Sequence, residues 1–284
     1  MNNKSRTLVN IIGIPLILGS IYIGGYLFAS LISVIIILGT IEYNKLLIKN
    51  SAKPTMSLLM FSQIILIVSN FYMIHSYYEI NIQGSLHTHE AGLLFLFFCY
   101  MGYLLLFIIA AMIIEIFKES KTSILNISST VFGFLWIGVF ISLLVHLRFF
   151  AGAKLTLIIF VSLWICDTFA FFFGKNFGKT KIIPEVSPNK TIVGTLSGVF
   201  GSIFFLILIS YYNIIDISLI NALILGLITG GVSQFGDFFE SKLKREIDIK
   251  DTSNILKGHG GILDRFDSLS IISPLLLLFV LIVF

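Results

Sequence analysis

Long apolar runs are the feature of this sequence that most restricts its fold. They recur along the chain with lengths of about 17–25 residues, enough to cross a bilayer as a helix. Within a bilayer almost every backbone polar group must be paired inside its own segment, so a helix is the default, and the alternating segments of roughly ten residues typical of a membrane barrel do not occur. The sequence predicts an all-α polytopic membrane protein with about nine transmembrane helices, at 8–23, 26–41, 56–74, 91–114, 130–147, 155–173, 191–211, 217–239 and 269–284.

Composition agrees with that class. Of 284 residues, 57% are hydrophobic and only 12% are charged, whereas a soluble domain carries about 25% charged residues. The basic start followed by an apolar run resembles a signal peptide, but a second apolar run follows after only Gly24 and Gly25, so we expect a retained first span. The first two spans are short and separated by a break at these glycines, and they could be tilted or re-entrant. We expect one domain over residues 1–284, with a helical first half (1–150) and a functional second half (151–284).

The distribution of basic residues predicts the orientation. With the amino terminus in the cytoplasm and the carboxyl terminus outside, only Arg148 and Lys154 of the 19 basic residues fall on the outer side. Cytoplasmic loops are enriched in lysine and arginine, so this segregation favours nine spans. It also explains the net charge of +4 without a nucleic-acid partner.

One long charged segment, residues 241–267, interrupts the apolar pattern. Its lysines and arginines suit phosphate oxygens, and its aspartates suit Mg²⁺, which usually takes one or two protein carboxylates and shares its other positions with substrate phosphates. Gly258, Gly260 and Gly261 surround His259, so the backbone there can approach a ligand closely. The segment indicates a phosphate-handling site at a membrane surface.

The same segment resembles the signature of the phosphatidate cytidylyltransferases (CDP-diacylglycerol synthases). The one departure is Lys257, where that family usually has proline or glycine. The positions that match are Ser241, Lys244, Arg245, Lys250, Asp251, Ser253, Leu256, His259, Gly260, Gly261, Ile262, Asp264, Arg265, Phe266 and Asp267.

Two further aspartates lie within predicted spans, Asp167 in the sixth and Asp237 in the eighth. A carboxylate within a span is costly and by default marks a site with a partner. In the predicted orientation both lie near the cytoplasmic ends, at the depth of the charged segment. The alternative is that each caps a helix, pairs a neighbouring lysine or faces cytosolic water.

The resemblance implies that Asp237 and Asp264 bind the catalytic cations. Asp267, one helical turn from Asp264, could join them. Mg²⁺ is the expected ion, and a second cation, divalent or K⁺, would fit the number of carboxylates. Asp251 is equally compatible with an ion pair and with a ligand, and His259 with catalysis and with a local hydrogen bond.

A second basic cluster at 174–190 ends in the residues SPNKT. They resemble the same family's Ser-Pro-x-Lys-Thr, which makes Ser187, Lys190 and Thr191 candidate nucleotide or phosphate contacts. The family then has an aromatic residue and a Glu or Gln, and Ile192 and Val193 stand here instead. Glu42, at the end of the second predicted span, falls where the family has a Glu–aromatic pair, and packing or a helix-end contact is the expected role.

The function implied by the resemblance is a nucleotidyltransferase reaction at the cytoplasmic face of the cell (inner) membrane. CTP and phosphatidic acid are the expected substrates and CDP-diacylglycerol and pyrophosphate the products, in phospholipid biosynthesis. The residues expected to carry catalysis are Asp237, Asp264, Lys244, Arg245, Lys250, Asp251, His259 and Arg265. Those expected to bind substrate are Ser187, Lys190, Thr191, Ser241, Gly260, Gly261 and Asp167.

Three alternatives remain open from the sequence. A related CTP-dependent enzyme could act on another membrane lipid, a transporter could use Asp167 and Asp237 as ion sites, or an inactive scaffold could have kept the fold. Membrane lipids are expected partners in each case, and the assembled state, a homodimer included, cannot be read from the sequence.

Overall fold

The computed structural model of the chain describes residues 3–49, 52–83, 89–253, 255 and 260–284. These residues form helices and connecting loops, and the only extended pairing among them is one antiparallel bridge between Lys181 and Thr191. In chain order the helices are α1 (Asn3–Ile23), α2 (Gly25–Lys49), α3 (Met56–Gln83), α4 (His89–Ile116), α5 (Ser123–Gly133), α6 (Ile141–Phe177), α7 (Ile192–Tyr211), α8 (Leu219–Leu227), α9 (Ser233–Glu246) and α10 (Leu263–Val283).

Two helix pairs are continuous through a wider, π-helical turn. The segment Phe134–Phe140 joins α5 to α6, and Ile228–Val232 joins α8 to α9. Within α6, Gly152 has φ 70° and ψ 177°, so this long element is two helices meeting at a kink. A second break lies at Gly24, with φ 70°, between α1 and α2. The break predicted at Gly24–Gly25 is therefore confirmed.

Six helical segments among the described residues are long and apolar enough to cross a membrane. The segment Ser123–Phe177 contains two of the predicted spans, and the shorter apolar helices Ile11–Ile23 and Tyr100–Ile116 overlap two more. The all-helical class is thereby confirmed, whereas the count of nine spans and the orientation of the termini stay predictions. The six segments are Gly25–Leu47, Met56–Ser76, Ser123–Phe177, Ile192–Tyr211, Leu219–Glu246 and Leu263–Val283.

Helix α10 is fixed in the core from both sides. On one side Trp136 donates its indole N–H to Ser270 Oγ at 2.8 Å, and Ser273 Oγ donates to the carbonyl of Phe140 at 2.5 Å. On the other side a Cβ added at Gly236 would lie 2.6 Å from the carbonyl oxygen of Asp267, so α9 and α10 touch at the backbone. This contact sets the register of α9 against the first turns of α10.

Candidate active site

A cavity of about 650 Å³ lies among α1, α2, α6, α9 and α10. One wall is apolar and carries residues such as Leu16, Ile35 and Phe160. The opposite wall is charged and brings together residues that lie up to a hundred positions apart in the sequence: Asp167, Asp237, Asp264, Arg265 and Asp267. The structure therefore places the four predicted aspartates, from three different helices, around one space.

Asp264, in the first turn of α10, is surrounded by donors. Lys244 Nζ donates to Oδ1 at 2.6 Å. The backbone N–H groups of Thr252 and Gly261 donate to Oδ2 at 2.9 and 2.6 Å, and the Thr252 hydroxyl lies 2.9 Å from the same oxygen. Only 7% of the side chain is exposed. Asp264 thus holds the loop before α10 against the end of α9, with Oδ1 bonded to α9 and Oδ2 to the loop.

The two glycines of the His-Gly-Gly sequence fit this arrangement for steric reasons. Gly260 has φ 81°, a conformation that favours glycine. A Cβ at Gly261 would lie 2.5 and 2.6 Å from the two carboxylate oxygens of Glu42. The chain therefore passes between Glu42 and Asp264 at a distance that excludes a side chain.

Asp237 has fewer partners. It forms an ion pair with Lys190, and Ser241 Oγ donates to Oδ1 at 3.3 Å. Lys190 Nζ also lies 4.2 Å from the ring centroid of Phe238, within cation–π range. The side chains of Lys190 and Asp237 are 26% and 39% exposed, and Asp237 lines the cavity, so the pair is accessible to solvent.

The chain around Lys190 is held by the start of α7. Thr191 caps this helix, its hydroxyl accepting the Gly194 N–H at 3.1 Å. The Ile182 N–H donates to the carbonyl of Lys190 at 3.3 Å. Of the predicted substrate contacts in this loop, Lys190 therefore reaches the charged wall, Thr191 has a structural bond, and Ser187 accepts the Lys190 N–H through its carbonyl at 3.3 Å.

The remaining cavity aspartates lie close to Asp237. Asp267 accepts the N–H of its neighbour Ser268 at 2.6 Å, and Asp167 lies on α6, exposed to the cavity. Asp167, Asp237 and Asp267 all line the same cavity. Three like charges facing one space repel one another, and a cation between them would relieve that repulsion.

Two fully buried glutamates lie behind the charged wall and do not line the cavity. Glu42 is fully buried and accepts the N–H groups of Ile262 and Leu263, both at 2.9 Å, which is the helix-end contact expected of it. Glu240 is also fully buried, with Oε1 3.3 Å from Lys244 Nζ and no oxygen in hydrogen-bond geometry among the described residues. The sequence analysis did not include Glu240, although its spacing of four residues from Lys244 indicates an ion pair on one helix face.

Other predicted residues lie away from the cavity. Arg245 donates to the carbonyls of Val186 and Ile249, at 3.3 and 3.1 Å, and so joins the end of α9 to the loop before α7. Lys250 and Asp251 are exposed on the loop after α9. His259 and Lys257 lie outside the described residues.

The donor chemistry of the charged wall fits Mg²⁺. No group of three or more His, Cys, Asp or Glu side chains within the described ranges is arranged to hold a metal ion by itself. Magnesium does not require such a cage, because it keeps several water molecules and combines one or two carboxylates with substrate phosphates. The carboxylates of Asp237, Asp264 and Asp267, which line the cavity, are of the type that fits this role.

Comparison with known proteins identifies a family and several relatives that match this chain. Residues 4–283 match the model of a family described as the cytidylyltransferase family. The chain is 45% identical over 120 residues to a phosphatidate cytidylyltransferase of Aquifex aeolicus and 43% identical over 116 residues to one of Bacillus subtilis. These alignments cover 42% and 41% of this chain, and 44% and 43% of the two relatives, so each spans less than half of the matched protein. A Synechocystis protein of the same name is 29% identical over 303 aligned positions, covering 97% of this chain and 95% of the relative.

Proposed function

The chain belongs to the cytidylyltransferase family, and on this premise we propose that it transfers CMP from CTP to phosphatidic acid, giving CDP-diacylglycerol and pyrophosphate. The observation that carries the proposal is the cavity with two unlike walls. Its apolar side suits the acyl chains of a lipid, and its side of aspartates, Lys190 and Arg265 suits phosphates with a cation. Curated relatives named phosphatidate cytidylyltransferase support the choice of substrates.

The reaction needs no protein nucleophile. An oxygen of the lipid phosphate attacks the α-phosphorus of CTP and forms the new P–O bond. The bond from the α-phosphorus to the bridging oxygen breaks, and the β- and γ-phosphates leave as pyrophosphate. Catalysis then depends on holding the two phosphates in line and on neutralising their charge.

The cationic residues divide by position. Arg265 lines the cavity, and Lys190 pairs with Asp237 at its edge, so we assign both to contacts with phosphates. Lys250 and Arg245 are exposed and lie away from the cavity, so we assign them only to the part of a triphosphate that extends out of it. Lys244 is enclosed between Asp264 and Glu240, so we assign it to holding Asp264 in place.

Mg²⁺ would be held by Asp237 with Asp267 or Asp264. When bound, the ion supplies positive charge to the phosphate oxygens. The chain itself supplies orientation: Ser241 and Lys190 fix the carboxylate of Asp237, and the loop donors fix that of Asp264. Asp167 adds a further carboxylate to the same cavity, which would suit a second cation.

The protein is a multi-pass membrane protein by its apolar helices. We propose that it resides in the cell membrane with the charged wall facing the cytoplasm, where CTP is available. The near absence of basic residues on the predicted outer side supports this orientation.

A direct assay tests the proposal. The purified full chain is supplied with phosphatidic acid in mixed micelles, labelled CTP and Mg²⁺, and CDP-diacylglycerol and pyrophosphate are measured. Product from the wild type that is lost in a folded Asp237→Asn variant, and retained in the exposed control Asp216→Asn, supports the reaction. The absence of product with phosphatidic acid contradicts it. Product with a different lipid acceptor would assign the site to a related enzyme, and ion flux in liposomes without transfer would favour a transporter.

A further inference from the structure

Helix α10 begins without a cap of its own. Its N-cap residue is Ile262, whose side chain cannot accept a hydrogen bond. The first turn of a helix leaves backbone N–H groups without partners inside the helix. Ile262 and Leu263 are both buried, at 9% and 2% exposure, so water is a poor substitute. The sequence around α10 thus leaves two buried donors that require an acceptor from elsewhere.

That acceptor is Glu42, on α2 and about 220 residues earlier. Its Oε1 accepts the Ile262 N–H at 2.9 Å and the Ser253 hydroxyl at 2.5 Å. Its Oε2 accepts the Leu263 N–H at 2.9 Å and lies 3.1 Å from the Thr252 hydroxyl. One fully buried carboxylate therefore joins α2, the loop at 252–253 and the start of α10.

The electrostatics favour the same arrangement. A carboxylate at a helix N-terminus interacts favourably with the helix dipole. Hydrogen bonds to an ionised acceptor are shorter and stronger than neutral ones, and breaking them leaves buried groups unsatisfied. Glu42 does not line the cavity, so its contribution passes through α10, whose first two turns carry Asp264, Arg265 and Asp267.

We propose that Glu42 is a positioning residue for the candidate active site: it acts as the remote cap of α10 and fixes the carboxylates of Asp264 and Asp267 at the cavity wall. The inference rests on the proposed function for its catalytic consequence, but its structural content can be tested without substrates.

The first measurement is amide hydrogen exchange of the detergent-solubilised full chain. Glu42→Gln keeps the size of the side chain but replaces one acceptor oxygen with a donor group that faces other donors. We expect the peptide covering 260–266 to exchange about tenfold faster, in line with the loss of charge-assisted hydrogen bonds. Ser253→Ala, which removes one of the four partners, should give a smaller increase in the same peptide. It also provides the test if Glu42→Gln does not fold.

A matched control is Glu115→Gln. Glu115 is also buried, accepts Asn126 Nδ2 at 2.7 Å and pairs with Lys118 at 3.1 Å, but it lies at the end of α4. This variant should alter exchange near α4 and α5 and leave the 260–266 peptide unchanged. An equal effect of both variants on that peptide would show only a global loss of stability and would overturn the assignment of Glu42.

The second measurement is steady-state transfer by the folded variants. A displaced α10 should lower kcat about 10²-fold in Glu42→Gln, because small misplacements of catalytic groups are costly. Glu42→Asp, which keeps the charge but is one methylene shorter, should recover part of kcat. Unchanged kcat and unchanged exchange in Glu42→Gln would overturn the inference. If the wild type itself transfers no CMP, the proposed function fails while the exchange result still decides the role of Glu42.

Discussion

Two groups of carboxylates meet at the charged wall, and they differ in how fully their oxygens are satisfied. The enclosed group, Glu42, Glu240 and Asp264, is at most 7% exposed. The cavity group, Asp167, Asp237 and Asp267, faces the open space with few protein donors. A carboxylate at membrane depth is costly unless paired. The first group is held by several donors each or by burial beside Lys244, whereas Asp237 and Asp267 have one or two described protein partners each.

The number of protein partners separates carboxylates that hold the structure together from carboxylates that are proposed to take part in the reaction. In the enclosed group, Glu42 and Asp264 each have four donor atoms within hydrogen-bond distance, and Lys244 lies between Asp264 and Glu240. Substitutions there should act first on stability. In the cavity group, substitutions should act first on transfer, because the proposed function gives these carboxylates a cation and phosphates as partners. Each prediction below tests this division.

The largest effect is expected for Asp237→Asn. We expect transfer to fall about 10³-fold, the scale of losing one electrostatic contact in a transition state. The free energy of unfolding should change by less than about 1 kcal/mol, because the half-exposed pair with Lys190 contributes little. CDP-diacylglycerol formation and denaturant titration in detergent measure the two quantities.

A matched control for Asp237→Asn is Asp248→Asn, an exposed aspartate on the loop after α9. It should retain wild-type transfer. A loss of stability in Asp237→Asn as large as its loss of activity would place Asp237 in the enclosed group.

The next effect is on stability and concerns Lys244→Met. This change leaves Glu240 buried without its cation and removes a 2.6 Å bond from Asp264. Removing one partner of a buried ion pair costs about 3–5 kcal/mol. In the double variant with Glu240→Gln, part of that loss should be recovered, because the unpaired charge is gone. Equal stability of the single and double variants would show that the two residues are not coupled.

A smaller effect is expected for Gly261→Ala. The added methyl group would meet both oxygens of Glu42, and overpacking costs about 1–3 kcal/mol. Gly231→Ala is the control, since a Cβ there meets nothing within 4 Å. It should be neutral or stabilising by up to about 1 kcal/mol. If thermal unfolding of the two variants were the same, the chain at Gly261 would not be held against Glu42.

Much of the fold could be predicted from the sequence because hydropathy is a local signal. The helical class and the break at Gly24 follow from run lengths and glycine positions. The meeting of Asp167, Asp237, Asp264 and Asp267 at one cavity followed from their similar predicted depth. A similar depth in the bilayer therefore predicts which residues lie near one another even when they are distant in the chain.

The enclosed group could not be predicted in the same way. Glu42 bonds to backbone donors at 262 and 263, and no periodicity in the sequence indicates which distant N–H groups a buried carboxylate will meet. The structure begins α10 at Leu263, six residues before the predicted span, and the apolar Ile262 before it cannot cap it, so an acceptor from elsewhere is required. The bond between Lys244 and Asp264 likewise depends on how α9 and α10 cross.

The smallest predicted effect concerns Asp167→Asn. It tests whether Asp167 belongs to the cavity group. Asp167 lies on α6, apart from the two helices that carry the other aspartates, and lines the same cavity as Asp237. We expect transfer to fall about tenfold, equivalent to roughly 1.4 kcal/mol of transition-state stabilisation, with a higher Mg²⁺ concentration needed for half-maximal rate.

The neighbouring Thr168→Val is the control for Asp167→Asn, because the Thr168 hydroxyl donates to the carbonyl of Trp164 within the same helix, at 2.7 Å. A loss as large as that of Asp237→Asn would give Asp167 a direct part in holding the cation, and an unchanged rate with an unchanged Mg²⁺ dependence would remove it from the group.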